Sequence, residues 1–144
     1  MPSINIYLNF KDSCEEAFNY YKTAFEVEIS YMGRYKDMSA EDSGKMKLKA
    51  GDEEKIMHVT LPIGKETMLM GCDAGGEWAS GYSQGNNFSI SVNADSKGEA
   101  ERIFKGLSDG GTITMPLGKT FWSECFGVLT DKFDITWMFN YSKN

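Results

Sequence analysis

An α+β fold made of two β-α-β-β-β modules is the architecture that this 144-residue sequence predicts, and three observations predict it. Ser13-Cys14-Glu15-Glu16 and Ser96-Lys97-Gly98-Glu99 both read as Ser-x-x-Glu capping boxes, in which the serine caps the amide three residues on and the glutamate reaches back. Apolar residues then recur at helical spacing, at Ala17, Tyr20, Tyr21 and Ala24 after the first box and at Ala100, Ile103, Phe104 and Leu107 after the second. Ahead of each helix runs an alternating segment: Ile4, Ile6, Leu8 and Phe10 against Asn5, Tyr7 and Asn9, then Phe88, Ile90 and Val92 against Asn87, Ser89 and Asn93. The strand and helix unit therefore occurs twice.

After the first helix the pattern predicts strands over about residues 27–35, 55–61 and 67–72. A charged loop over 38–54, read as a solvated and mobile segment, and a turn over 62–65 join them. Gly110-Gly111 ends the second helix, and strands follow over about 112–115, 120–129 and 135–141. One helix then covers one face of each four-stranded sheet, and the other face is left to curve, barrel-like, toward a shared cavity with the helices outside. Residues 1–144 read as one domain: module one over about 1–73, a glycine- and serine-bearing linker over 74–86, and module two over 87–144. The linker carries Trp78 and Tyr82, which fit either a lid over the cavity or packing on a neighbouring subunit.

The net charge of -6 and sequence pI near 4.8 argue against nucleic acid or an anionic membrane as the main partner, since either wants a clustered basic face. The first residues, Met1-Pro2-Ser3-Ile4, carry no basic leader, and no apolar run approaches the roughly 18 residues of a membrane span. A cytoplasmic protein is expected. Cys14, Cys72 and Cys125 are far apart, odd in number and without a Cys-x-x-Cys pair. They read as small buried hydrophobes rather than as a disulfide framework or a zinc knuckle.

Seven rings, Phe121, Trp122, Phe126, Phe133, Trp137, Phe139 and Tyr141, crowd the last strands. Such a run either completes a core or walls a concave pocket, and a pocket with a few polar groups is the usual small-molecule site. His58 is the one histidine, and it alternates with Ile56 and Thr60 on the face opposite Met57, Val59 and Leu61. If those three pack under the helix, His58 looks into the cavity, where it either works as an acid or base or orders the pocket wall. Glu124, between Trp122 and Phe126, is its candidate partner, because a carboxylate there needs water or a cation. Leu117-Gly118-Lys119-Thr120 ends like a phosphate loop, but the first glycine of that motif would fall at Ile113.

Several strings resemble the vicinal oxygen chelate superfamily, the glyoxalase and bleomycin-resistance-like fold, and within it the PhnB-like proteins. They are Tyr7-Leu8-Asn9-Phe10, Cys14-Glu15-Glu16-Ala17-Phe18 leading to Tyr21-Lys22, Met57-His58-Val59, Leu69-Met70, Gly85-Asn86-Asn87-Phe88-Ser89-Ile90-Ser91, Met115-Pro116-Leu117, Phe121-Trp122, and Leu129-Thr130-Asp131-Lys132-Phe133 with Trp137-Met138. The resemblance implies paired modules, a cavity within curved sheets and commonly a homodimer. It also has departures. Glu26-Val27 stands where the family usually has a glycine pair, and Asp134 where it has a glycine, a position where aspartate tolerates a positive φ better than most residues.

Metal-dependent members of the superfamily take His, Glu or Gln ligands from the first and last strands of each module. Those strands here offer mainly Asn5, Tyr7, Asn9, Ser89, Ser91, Asn93 and Asn140, with Glu66 at one entrance. Asparagine and serine are weak ligands for zinc, nickel or iron, so no metal and no other cofactor is expected. The methyltransferase label carried by relatives is also not expected to apply, for want of a glycine-rich turn opening a helix. Three readings result. The first is a binder of a small polar molecule, its pocket lined by Tyr7, Asn9, His58, Ser89, Trp122 and Trp137. The second is an enzyme of lyase, isomerase or other glyoxalase-superfamily type, with or without a divalent metal, using His58 with Glu124 on a small polar or phosphonate-type metabolite, which would need a cation such as Arg34 or Lys119 to hold an anion. The third is a structural dimer with a filled interior.

Overall fold

The computed structural model describes residues 1–143. The chain forms two compact units, Met1–Ser83 and Gln84 onward, and each repeats the expected order of elements.

In the first unit β1 (Ile6–Phe10) leads into α1 (Cys14–Phe25), followed by β2 (Tyr31–Arg34), α2 (Ala40–Met46), β3 (Ile56–Ile63) and β4 (Thr67–Asp73). The sheet order is β1-β4-β3-β2, with β1 parallel to β4 and the other pairs antiparallel. In the second unit β5 (Ile90–Asn93), α3 (Lys97–Ser108), β6 (Thr112–Gly118), β7 (Cys125–Thr130) and β8 (Thr136–Tyr141) give the matching order β5-β8-β7-β6. Each sheet is mixed, curved and open rather than closed into a barrel.

A helix lies on one face of each sheet. Cys14, Ala17, Phe18 and Tyr21 of α1 are buried against it, as are Ala100, Ile103, Phe104 and Leu107 of α3. The approach is closest at a strand glycine. A Cβ on Gly71 would stand 2.7 Å from both the Leu8 carbonyl oxygen and the Phe18 ring, so only glycine lets α1 settle there. Leu8, Val59, Leu61 and Leu69 complete this core in the first unit, and Leu129, Trp137 and Phe139 do so in the second.

The two capping boxes differ in use. Ser96 accepts the Glu99 amide (3.0 Å), while Glu99 reaches back to the amide of Asp95. Ser13 makes no side-chain cap bond. The Cys14 amide instead donates to Oδ1 of the buried Asp73 at the end of β4 (2.9 Å), and Oδ2 of the same carboxylate takes the Ile56 amide (2.9 Å). One carboxylate therefore ties the start of α1 and the start of β3 to the end of β4.

Other boundaries moved for identifiable reasons. Glu26 caps α1 in the left-handed conformation (φ 55°), delaying β2 to Tyr31, and Asp134 likewise has φ 64° in the turn before β8. The Thr120–Ser123 turn, with the Ser123 amide donating to Thr120 Oγ1 (3.1 Å), holds β7 back to Cys125. The loop expected over 38–54 contains α2, which buries no residue, yet its far end is pinned. Asp52, only 5% exposed, accepts the amides of Lys49 and Gly76 and pairs with Lys55. Much of the expected linker is thereby built into the first unit: Ala74–Gly76 is buried and a 3-10 helix runs over Gly76–Gly81.

Candidate functional site

Strand alternation gives each sheet a second face that its helix does not cover. In the first sheet, Met70 on β4 lies between Tyr7 on β1 and Thr60 on β3, and Thr60 in turn pairs with Tyr31 on β2. One residue pair further along, Cys72 pairs with Asn9, and His58 pairs with Gly33. Val59 and Leu61 point to α1 and are fully buried, which leaves His58 and Thr60 half-buried on the open face. His58 thus lies on the side that the alternation predicted.

These side chains form one polar row. The Tyr7 hydroxyl lies 3.1 Å from His58 Nδ1, and His58 Nε2 lies 2.9 Å from Thr60 Oγ1. The Cys72 thiol, on the same face, donates to Asn9 Oδ1 (3.3 Å). The Tyr7 and Tyr31 rings flank the imidazole, with centroids 5.6 and 6.0 Å from it. Burial, with the Cys72 sulfur nearby, pushes the Tyr7 hydroxyl well above the usual phenol range, so it stays a donor rather than a phenolate. Burial likewise raises the Cys72 thiol, which stays protonated. Tyr31 and Tyr7 are half exposed, so the row is open to a ligand.

Sequence reasoning singled out Tyr7, Asn9 and His58, and the structure brings these three together. It missed Thr60, Cys72 and Tyr31. Thr60 could have been found from the same alternation, since it lies two residues from His58 on one strand.

The remaining expected site residues belong to the second unit. Ser89 is exposed just before β5, and Trp122 is 52% exposed with its ring against Phe126 and Phe121. Trp137 is a core side chain: it is 1% exposed on the α3 face, and its indole N–H donates to Asp131 Oδ2 (2.8 Å). Glu124 lines a shallow cavity of about 420 Å³ with Lys97, Glu101, Leu117, Gly118, Lys119 and Cys125. Arg34, expected as a possible anion holder, is engaged by Glu15 Oε2 and the Glu54 carbonyl, both at 2.7 Å. Trp78, 40% exposed, lies in the 3-10 helix, and the Tyr82 hydroxyl donates to the Asn9 carbonyl (3.3 Å), which ties that part of the expected lid segment to the first unit.

The side chains on the first open face do not suit a divalent cation. Both nitrogens of His58 are engaged by protein partners, the Cys72 sulfur stays a thiol, and hydroxyls and an amide supply the rest. Zinc-type ions want imidazole, thiolate or carboxylate, and hard ions want carboxylates. Among the described residues no three of His, Cys, Asp and Glu are grouped for an ion.

This geometry, a repeated β-α-β-β-β unit whose uncovered sheet face carries the polar side chains, is that of the vicinal oxygen chelate superfamily. Comparison with known proteins makes the assignment closer. The model of a family described as 3-demethylubiquinone-9 3-methyltransferase matches residues 2–139, and the chain belongs to that PhnB-like family. It is 31% identical to Protein YjdN of Escherichia coli over 148 residues, covering 99% of this chain and 97% of that protein. Protein PA1353 from Pseudomonas aeruginosa is 36% identical, with TM-score 0.82 and full coverage of both chains. The PhnB protein from Bacillus cereus is 26% identical, with TM-score 0.73 over 98% of this chain and 100% of that one.

Proposed function

We propose that the open face of the first sheet binds a small polar metabolite without a resident metal. The observation that carries this reading is the row Asn9, Cys72, Tyr7, His58 and Thr60, which gathers five polar side chains on one uncovered strand face flanked by aromatic rings. Ordinary core packing has no use for such a row. A specific small-molecule site is built in this way, from apolar and aromatic walls with a few converging polar groups.

Turnover by an enzyme of lyase or isomerase type is the second reading, favoured by the placement of the single histidine between two hydroxyls within hydrogen-bond reach. The methyl transfer named in the family's description fits less well. The strand-to-helix connections here are Lys11-Asp12-Ser13 and Ala94-Asp95-Ser96, and neither has the glycines that let a nucleotide-bearing cofactor approach the backbone. A homodimer in the cytoplasm is part of the proposal, supported by Phe88, Ile113, Met115, Phe121 and Trp122, which expose large apolar surface on the second unit. Light scattering is expected to give twice the 16.1 kDa chain mass.

The test is mass spectrometry of small molecules retained by untagged protein after rapid desalting from a cell extract, with metal analysis of the same sample. A compound held by the wild-type protein and lost from His58→Gln and Tyr7→Phe is expected, with no stoichiometric metal. An identical set of compounds on all three proteins would rule this face out as the binding site.

A further inference from the structure

Counting protons along the row, on the reading that it is the ligand site, says what kind of ligand it suits. Cys72 donates to Asn9 Oδ1, which leaves the Asn9 amide N–H groups unspent. A neutral imidazole carries one N–H, so of its bonds to Tyr7 and Thr60 it donates one and accepts the other. With that proton on Nδ1, Thr60 gives its hydroxyl to Nε2 and turns only lone pairs to solvent.

A second proton on the imidazole makes both nitrogens donors. Thr60 Oγ1 must then accept from Nε2 and turn its own O–H outward. Protonated His58 thus presents together a positive charge and an outward hydroxyl donor at the Thr60 end of the row. The groups facing His58 are Tyr7 from β1, Tyr31 from β2 and Thr60 on its own strand, and all three are uncharged, so nothing among these contacts already neutralises that charge. At the other end, Asn9 has spent its carbonyl on the thiol and keeps its amide N–H groups for a ligand. It stands two strand spacings away, roughly 10 Å.

We propose that this face takes a small carboxylate whose far end bears a further oxygen acceptor, and that it takes it together with a proton. The carboxylate accepts from Thr60 beside the imidazolium, and the second oxygen accepts from the Asn9 amide. The linkage is reciprocal: if the carboxylate prefers the protonated site, it must make His58 hold its proton more tightly.

The chain has one histidine, so its imidazole Cε1–H gives a single NMR signal whose pH titration reports this site alone. Levulinate, whose ketone oxygen lies at the far end of the chain from its carboxylate, and its amide are suitable probes, differing in the carboxylate charge. Levulinate at saturation is expected to raise the His58 midpoint by about one pH unit, the shift for about tenfold tighter binding to the protonated form, and the amide to leave it in place. Thr60→Val is expected to abolish most of the rise and Thr60→Ser to retain it. If both probes perturb the His58 signal and neither moves its midpoint, the proton linkage is overturned while the site stands. If neither probe perturbs the signal at any pH, both the linkage and the site are lost.

Discussion

The two uncovered sheet faces occupy matching places in matching folds and hold different chemistry. Strand pairing sets them in correspondence. In the first sheet Met70 is flanked by Tyr7 and Thr60, and in the second Met138 is flanked by Ser91 and Val128. Where Cys72 pairs with Asn9, Asn140 pairs with Asn93 and also with Phe126. The first face carries an imidazole hydrogen-bonded to a phenol, with a thiol beside them. The second offers hydroxyls, amides and apolar side chains, joined by contacts such as Asn140 Nδ2 to Asn93 Oδ1 (3.4 Å) and Thr130 to Thr136 (3.3 Å). Repeating a module copies the backbone frame but not the side chains: among the described residues the imidazole, phenol and thiol stand on the first open face and not on the second.

A second contrast concerns how each unit stays folded, and it gives the largest expected effect. Each holds a buried aspartate that accepts from backbone amides. Asp131 takes the amides of Phe133 (2.7 Å) and Ile135 (3.1 Å) and the Trp137 indole. Asp73 takes two amides, those of Cys14 and Ile56. Removing the acceptor leaves buried donors unpaired, at about 1–3 kcal/mol each. Asp131→Ala is therefore expected to cost about 4 kcal/mol and Asp73→Ala about 3, measured by urea unfolding. Equal losses would mean that the indole hydrogen bond contributes little.

Smaller, and different in sign of pH dependence from an ordinary paired carboxylate, is the titration of Asp73. Burial raises its pKa above 3.8, against the lowering effect of the Ile56 and Cys14 amides. A carboxyl held more tightly protonated in the folded chain contributes most below its unfolded pKa, and that contribution is lost as pH rises through the folded value. The stability of the wild-type protein relative to Asp73→Asn is thus expected to fall as pH rises from below 3.8 through that raised value, then level off. A relative stability that climbs over the same range would show that the amide bonds outweigh the burial.

How much of this was legible in the sequence follows from the range of the interactions. Element order, helix faces and the side of the sheet taken by His58 are set by periodicities of 2 and 3.6 within one segment, and these were readable. The partners of His58 come from pairing between strands distant in the chain: Tyr7 is supplied by β1, and Thr60 was overlooked although it shares the strand. Trp137 misled because an aromatic at an alternating position looks the same whether it walls a pocket or fills a core. Only Asp131, six residues away, decides it by taking the indole proton. Glu124 lies at a strand entry of the second unit, and no local signal tells which surface such a carboxylate serves.

The smallest expected effect separates two copies of one motif. Ser13 and Ser96 begin the same four-residue pattern, and sequence alone gives them the same role. Ser96 has extended backbone (φ -151°, ψ 161°), which aims its Oγ at the Glu99 amide, whereas Ser13 sits at φ -113°, ψ 10°, away from that geometry, with the Cys14 amide drawn to Asp73. An N-cap serine that makes its bond contributes typically about 1 kcal/mol. Ser96→Ala is therefore expected to cost about 1 kcal/mol in urea unfolding, and Ser13→Ala less than about 0.5. In an Asp73→Ala background the order has a reason to change: with its carboxylate gone, the first turn of α1 would need the serine, and Ser13→Ala should then become costly. Additive losses in that double variant would mean that Asp73 does not take over the capping of α1.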